Sequence, residues 1–278
     1  MTLTFHRILP LVVGAVALVT GSCREEAARV RPDPPERPLG IHPDPRGLVN
    51  QFAGFSVKDQ SHAEKMMVFR NFNAPARAER IPDNQVYSAA SGKVESIHGL
   101  IRDRPVVLVF GSASCNQFEM YTGDLKRLSE SYGQALDFHL IYIREAHPSG
   151  GFLPEMHREG TAHEQSSLHD AETLEERLVA AKGLQSVLGN KISIWVDDIT
   201  DAAAARWGAW PARAFVISTD LTVIYQGGPG PFYFNISRDG WHVAPPDYLQ
   251  NAFRKVPFDE RTLERFLEQS FKVDRESI

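Results

Sequence analysis

Pro105-Val106-Val107-Leu108-Val109-Phe110-Gly111-Ser112-Ala113-Ser114-Cys115-Asn116-Gln117 is the stretch that decides the fold. The apolar run Val106 to Phe110, mostly β-branched or aromatic, reads as a strand buried on both faces, as a parallel or mixed sheet between helices requires. Small residues end the run. Phe118, Tyr121, Leu125, Leu128 and Tyr132 then recur at spacings of three and four, which predicts a helix over 116–132 with one face turned inward. Cys115 therefore sits at a strand-to-helix turn. Backbone N–H groups of a first helical turn favour a thiolate, so this position predicts a lowered thiol pKa.

Outward from there, Val86 and Tyr87, a turn at Ser91-Gly92, then Val94 and Ile97 read as a hairpin. Asp137 to Ile143 is a second buried strand. The polar stretch from Glu145 to Asp170 exceeds the usual connection length, and such loops tend to carry function. Leu174, Leu178, Ala181, Leu184 and Leu188 mark a helix, Ile192 to Val196 a third strand ending at Asp197-Asp198, and Ala202 to Trp207 a short helix. Trp210-Pro211 opens a strand over Ala214 to Ile217 that pairs with Leu221 to Tyr225. Asp259 is the expected N-cap of a last helix carrying Leu263, Phe266, Leu267 and Phe271. Alternating strands and helices closed by a hairpin predict an α/β fold, a thioredoxin-like central mixed β-sheet flanked by helices. Such a fold places a cis-proline beside the reactive thiol, and Pro211 is the candidate; the alternative is a trans-proline in a simple turn.

The chain has 278 residues, 42% apolar, enough for one sizeable core. A net charge of −5 without a basic stripe argues against nucleic acid as a partner. His6 and Arg7 precede an apolar run, Ile8 to Val19, which suits a signal-peptide core and falls short of the roughly 20 residues of a bilayer span. Thr20-Gly21-Ser22-Cys23 resembles a bacterial lipobox, with Thr20 where that pattern prefers Leu; the alternative is an ordinary secretory signal with a chance cysteine. The expected organisation is a signal peptide over 1–22, a Pro-rich tether over 23–47, an N-terminal extension over 48–82 with a short helix around His62 to Phe69, and one domain over 83–278. The expected location is the periplasmic or cell-surface face of a membrane, anchored through a lipid on Cys23. Cys115 then has no intramolecular partner, and no structural disulfide is expected.

Several separated pieces carry a resemblance to the iodothyronine deiodinases, a branch of the thioredoxin/peroxiredoxin-like superfamily. Phe110-Gly111-Ser112-Ala113-Ser114-Cys115 resembles that family's Gly-Ser-x-Thr-selenocysteine centre, with Cys115 at the selenocysteine. Tyr142-Ile143-Arg144-Glu145-Ala146-His147, with Ser149 and Gly151-Phe152, is similar to its Tyr-Ile-Glu-Glu-Ala-His block. Leu174-Glu175-Glu176-Arg177 follows its Leu-x-Asp-Arg helix, Pro211-Ala212-Arg213 its Pro-Glu-Arg, and Tyr225 to Gly228 with Gly230-Pro231 its Tyr-x-Gly…Gly-Pro segment. Three departures bear on chemistry. Sulfur stands for selenium, Ala113 stands where a cysteine is common, and Ala171 stands where the family has a histidine, a role open to His169 nearby.

The resemblance implies an oxidoreductase of the deiodinase type, removing halogen from an iodinated or halogenated aromatic, with no bound cofactor and an external thiol or thioredoxin-like reductase as partner. Cys115 is the candidate nucleophile, against the alternative of a small buried core residue. Ser114 and Ser112 are candidate donors to the thiolate, or turn and cap residues. His147 is a candidate proton donor with Glu145 orienting it or relaying protons, and Arg213 a candidate for stabilising the thiolate or binding an acidic substrate group, or else a surface ion pair. His157, His163 and His169 invite a metal reading, but their six-residue spacing cannot converge on one helical face. Trp207, Trp210, Phe232, Tyr233 and Phe234 line an aromatic pocket or pack the core. Two rival functions stand beside the leading one. The first is a one-cysteine peroxiredoxin-type peroxidase, for which Ser112 is well placed although Leu108 occupies that family's proline. The second is a non-catalytic thioredoxin-fold lipoprotein.

Overall fold

The computed structural model describes residues 74–146, 148, 168–230, 232–237 and 258–271. The signal segment, the tether and the helix expected around His62 to Phe69 lie outside the described residues. Over the rest the chain runs β1 (Gln85–Ser88), β2 (Val94–Ser96), α1 (Ile97–Leu100), β3 (Val106–Gly111), α2 (Asn116–Met120), α3 (Thr122–Tyr132), β4 (Asp137–Tyr142), α4 (Leu174–Gly183), α5 (Gln185–Leu188), β5 (Ile192–Val196), α6 (Ala202–Arg206), β6 (Arg213–Ile217), β7 (Val223–Gln226) and α7 (Leu263–Ser270). The strands form one seven-stranded mixed sheet in the order β2-β1-β5-β4-β3-β6-β7.

β3 is buried at every position, as its unbroken apolar run requires. It pairs in parallel with β4, from Val106 opposite Asp137 to Gly111 opposite Tyr142, and antiparallel with β6, where Phe110 faces Arg213. β4 in turn pairs in parallel with β5, up to Tyr142 opposite Val196. Parallel neighbours need crossovers, which α2 and α3 supply on one side of β4 and α4 and α5 on the other. The carboxyl ends Gly111, Tyr142 and Val196 therefore align at one end of the sheet, and the loops leaving them meet there. The core β4-β3-β6-β7, with its helices after β3, is thioredoxin-like, and the Trp210–Pro211 peptide is cis.

Three details depart from the sequence reading. The helix expected over 116–132 breaks at Tyr121, whose φ of −101° and ψ of 3° leave the helical region. The inward face is nonetheless the one expected, with Phe118, Tyr121, Leu125, Leu128 and Tyr132 all buried. The helix beginning at Leu174 likewise divides, at Leu184, into α4 and α5. Thr262, not Asp259, caps α7, its hydroxyl accepting from the Arg265 amide at 3.0 Å. Asp259 instead holds its near neighbour Arg261 through backbone and side chain. Both residues have capping chemistry, and the competing guanidinium decides between them.

Gly111 closes β3 for a packing reason. A Cβ there would lie 2.4 Å from the Phe118 ring, so only glycine lets α2 press flush onto the strand end. That contact fixes the start of α2, and with it Cys115. On the far side of the same strand Phe110 packs with Trp207 (5.4 Å between ring centroids), and Trp207 with Phe215 (5.1 Å). Trp207 and Trp210 are thus buried core residues, while Phe234 packs on Tyr121 at 5.6 Å.

Candidate active site

The turn Ser112 to Cys115 is tight: the Cys115 amide donates to the Ser112 carbonyl at 3.2 Å, and Cys115 becomes the N-cap residue of α2. The position at a helix start is the one expected, but the thiol's state is not. Cys115 is buried, and that burial pushes its thiol up to about 12, against the pull of the Gln117 and Phe118 amides. Two carboxylates, Glu145 and Glu119, push the same way. A five-residue helix offers a weak field at its start, and loss of water around sulfur outweighs it. Cys115 is accordingly a protonated thiol at rest. In a Cys23→Ser chain, where Cys115 is the sole cysteine, alkylation by iodoacetamide is expected to climb about tenfold per pH unit from pH 7 to 10 without a plateau. A plateau reached below pH 9 would contradict the buried, uncharged sulfur.

Around the thiol lies a connected polar group. Glu145 is buried, and its Oε2 accepts both the Ser114 amide, at 2.8 Å, and the Ser114 hydroxyl. Its Oε1 accepts the Tyr142 hydroxyl, which itself accepts from the Ala113 amide at 3.5 Å. Burial raises the pKa of Glu145 above the ordinary carboxylate range, despite hydrogen bonds from Ser114 and Tyr142 that favour its charge; Asp170 pushes upward as well. Tyr142 is raised for the same first cause, with Glu145 adding to it. The Ser112 Oγ accepts the Ala146 amide at 3.3 Å and so joins the end of β3 to the segment after β4. Two of the paired turn residues thus reach the same neighbouring strand end.

Arg213 requires a correction. It is fully buried at the start of β6, where Nε donates to the Gly227 carbonyl at 2.9 Å and Nη1 to the Gly208 carbonyl at 3.2 Å, with the guanidinium 5.4 Å from the Phe215 ring centroid. It braces two loops, and its burial rules out the surface ion pair. His147 lies outside the described residues, as do His157 and His163. His169 is exposed. Among the described residues no group of His, Cys, Asp and Glu is arranged to hold a metal ion.

Sequence reasoning assigned no role to four residues near these strand ends. Tyr142 was legible as the hydroxyl-bearing end of a strand and as the first residue of the family-like block, three residues before Glu145. Asp197, at the end of β5, is fully buried; its carboxylate accepts the amides of Asp198, Ala203 and Ala204, while burial pushes it up to about 7. Arg144 and Asp170 form an ion pair beside Glu145.

This arrangement can now be set against known proteins. Residues 56–240 match the profile of the iodothyronine deiodinase family. Thyroxine 5-deiodinase of Ovis aries is 30% identical over 183 residues, covering 66% of this chain and 59% of the sheep protein. The chain thus spans less than two thirds of that relative's length. Thyroxine 5-deiodinase of Gallus gallus is 29% identical over 223 residues, 79% of this chain and 80% of its own. A thioredoxin-like protein from Bacteroides caccae superposes with a TM-score of 0.39 at 10% identity, over 66% of this chain and 55% of that one. The family match covers the Cys115 turn, the Tyr142–Glu145 strand end and the cis-Pro211 corner together, and the chain belongs to the iodothyronine deiodinase family.

Proposed function

We propose that this chain reductively dehalogenates an iodinated or halogenated aromatic, using Cys115 as nucleophile and an external thiol as electron source. The observation that carries this reading is the buried hydrogen-bonded trio Ser114, Glu145 and Tyr142 directly beside the thiol. Sγ attacks iodine, the carbon–iodine bond breaks with its electron pair left on carbon, and a sulfur–iodine bond forms. Carbon gains one proton and the thiol loses one, so thiol plus aryl iodide gives sulfenyl iodide plus arene with no net exchange with solvent.

A thiol held protonated until substrate arrives suits that balance. Ser114 and Glu145 form the path by which the proton leaves the sulfur side and reaches carbon, with His147 as the further donor. A reductant thiolate then attacks sulfur and expels iodide, leaving a mixed disulfide; the reductant's second thiol releases Cys115 as the free thiol. The reductant ends as a disulfide, having supplied two electrons. No bound cofactor takes part. In the same reading the protein is exported and tethered to a membrane face through a lipid on Cys23; no helix among the described residues is long and apolar enough to cross a membrane.

The purified full-length chain with a dithiol is expected to release iodide from an iodophenol catalytically. Consumption of hydrogen peroxide without iodide release would overturn this reading in favour of a one-cysteine peroxidase. Turnover of neither would leave a thioredoxin-fold lipoprotein without chemistry.

A further inference from the structure

We infer that the Arg144–Asp170 ion pair is a positioning device for Glu145, holding the segment Ile143 to Ala146 so that its carboxyl stays in register with Ser114 and Tyr142. The inference rests on the relay proposed above and adds to it what keeps the relay in place. Glu145 is not in a regular strand: β4 ends at Tyr142, and ladder hydrogen bonding no longer fixes the chain beyond Ile143, whose amide reaches the Gly111 carbonyl at 3.1 Å. The next residue, Arg144, is anchored instead by its side chain. Its Nε, at 2.7 Å, and its Nη2 both donate to Asp170 Oδ2, across twenty-six positions of sequence. The two side chains are only 15% and 28% exposed, so the pair is partly shielded from water, where such contacts weaken.

Asp170 is in turn backed by rigid structure. It stands just ahead of the Thr173 capping box of α4, and Arg177 of that helix pairs with Asp201 at 2.7 Å and donates to the Asp198 carbonyl at 2.6 Å. Asp201 feels Arg177, Arg144 and Asp170 together, so the four charges make one layer joining the end of β4, the start of α4 and the turn before α6. The field of this layer reaches the relay: Asp170 acts on Glu145, and Arg177 acts on Tyr142. Among the described residues the charged and titratable groups named around Glu145 are Asp170 with its partner Arg144, Tyr142 from β4 and Cys115 from the α2 turn.

The test uses opposite signs. Asp170→Asn removes a negative neighbour and leaves Arg144 uncompensated, so Glu145 should lose its proton at lower pH. Arg144→Gln leaves Asp170 uncompensated, so Glu145 should lose it at higher pH. The Glu145 midpoint is read by infrared titration of the protonated-carboxyl band that Glu145→Gln abolishes, and each shift should be roughly three- to tenfold in acid constant. Arg144→Lys and Asp170→Glu, which keep the charges, should keep the midpoint and kcat, whereas the double variant, balanced in charge but without the tether, should return near the original midpoint and still lose kcat as the single variants do. Iodide release should fall about ten- to a hundredfold in kcat, with KM little changed, for the two neutral single variants. Midpoints that move the same way in both, or in neither, would overturn the inference. If the unmodified chain releases no iodide while the midpoints still split, the reaction proposed above fails and the positioning role stands.

Discussion

Cys115→Ser is expected to abolish iodide release, by about a thousandfold or more, in a protein that remains folded. The oxygen is close in size to sulfur, and serine is among the favoured N-cap residues, so the turn from Ser112 into α2 has no reason to collapse. What is lost is the atom. A hydroxyl is a poor nucleophile towards iodine and forms no stable oxygen–iodine bond in place of the sulfenyl iodide. A single turnover without reductant sharpens the measurement, because the unmodified protein should form at most one equivalent of dehalogenated arene, its iodine held on sulfur, and release iodide only when dithiol arrives. Retention of a tenth of the rate by the serine variant, with an unchanged melting temperature, would remove Cys115 from the reaction.

Arg177→Leu is expected to cost about 3–5 kcal/mol of stability, which for a domain of this size is a fall of roughly 10 °C in melting temperature. Arg177 and Asp201 are each 2% exposed and pair at 2.7 Å. Burial already raises Asp201 above the ordinary aspartate range, with Arg177 the main influence opposing it. Without the guanidinium, Asp201 is an uncompensated buried charge that rises further. A carboxyl whose folded pKa exceeds its unfolded one contributes stability at low pH that is lost as pH rises through the folded value. The deficit of Arg177→Leu should therefore be largest near neutrality and narrow as pH falls towards the unfolded aspartate pKa. Arg177→Leu with Asp201→Leu should melt higher than Arg177→Leu alone, since two apolar side chains leave no stranded charge. A deficit that does not change with pH would mean that lost packing, not the ion pair, sets the cost.

Much of the sheet was legible because buried parallel strands must be continuously apolar. Val106 to Phe110 announces itself in this way, while Ile192 to Val196, with Ser193 exposed, shows itself by alternation; the positions of Pro211 and Cys115 follow from the order of elements around them. Helix boundaries were harder. The inward pattern from Phe118 to Tyr132 continues through Tyr121 without a break, because the interruption is in backbone dihedrals and leaves the buried face intact. The electrostatics were the least legible. A thiol at a helix start reads as acidic from its neighbours in sequence, yet its state is decided by desolvation as the fold closes, which outweighs the pull of the Phe118 and Gln117 amides. The burial of Arg213 was hidden for a related reason: the carbonyls of Gly208 and Gly227 that accept from it are brought to it only by tertiary structure.

The two rims of the sheet have a consequence for how another polypeptide can approach. At one rim stands β2, three residues long and, among the described residues, paired only to β1. At the other, Ala78 to Ile81 already trades main-chain hydrogen bonds with Leu221 and Val223. An incoming strand from a second molecule thus finds one template too brief to propagate along and one already taken, a defence against amyloid-like stacking. For the external reductant proposed above, the described sheet therefore leaves an end-on approach, at the carboxyl ends of the parallel strands, in place of lateral annexation.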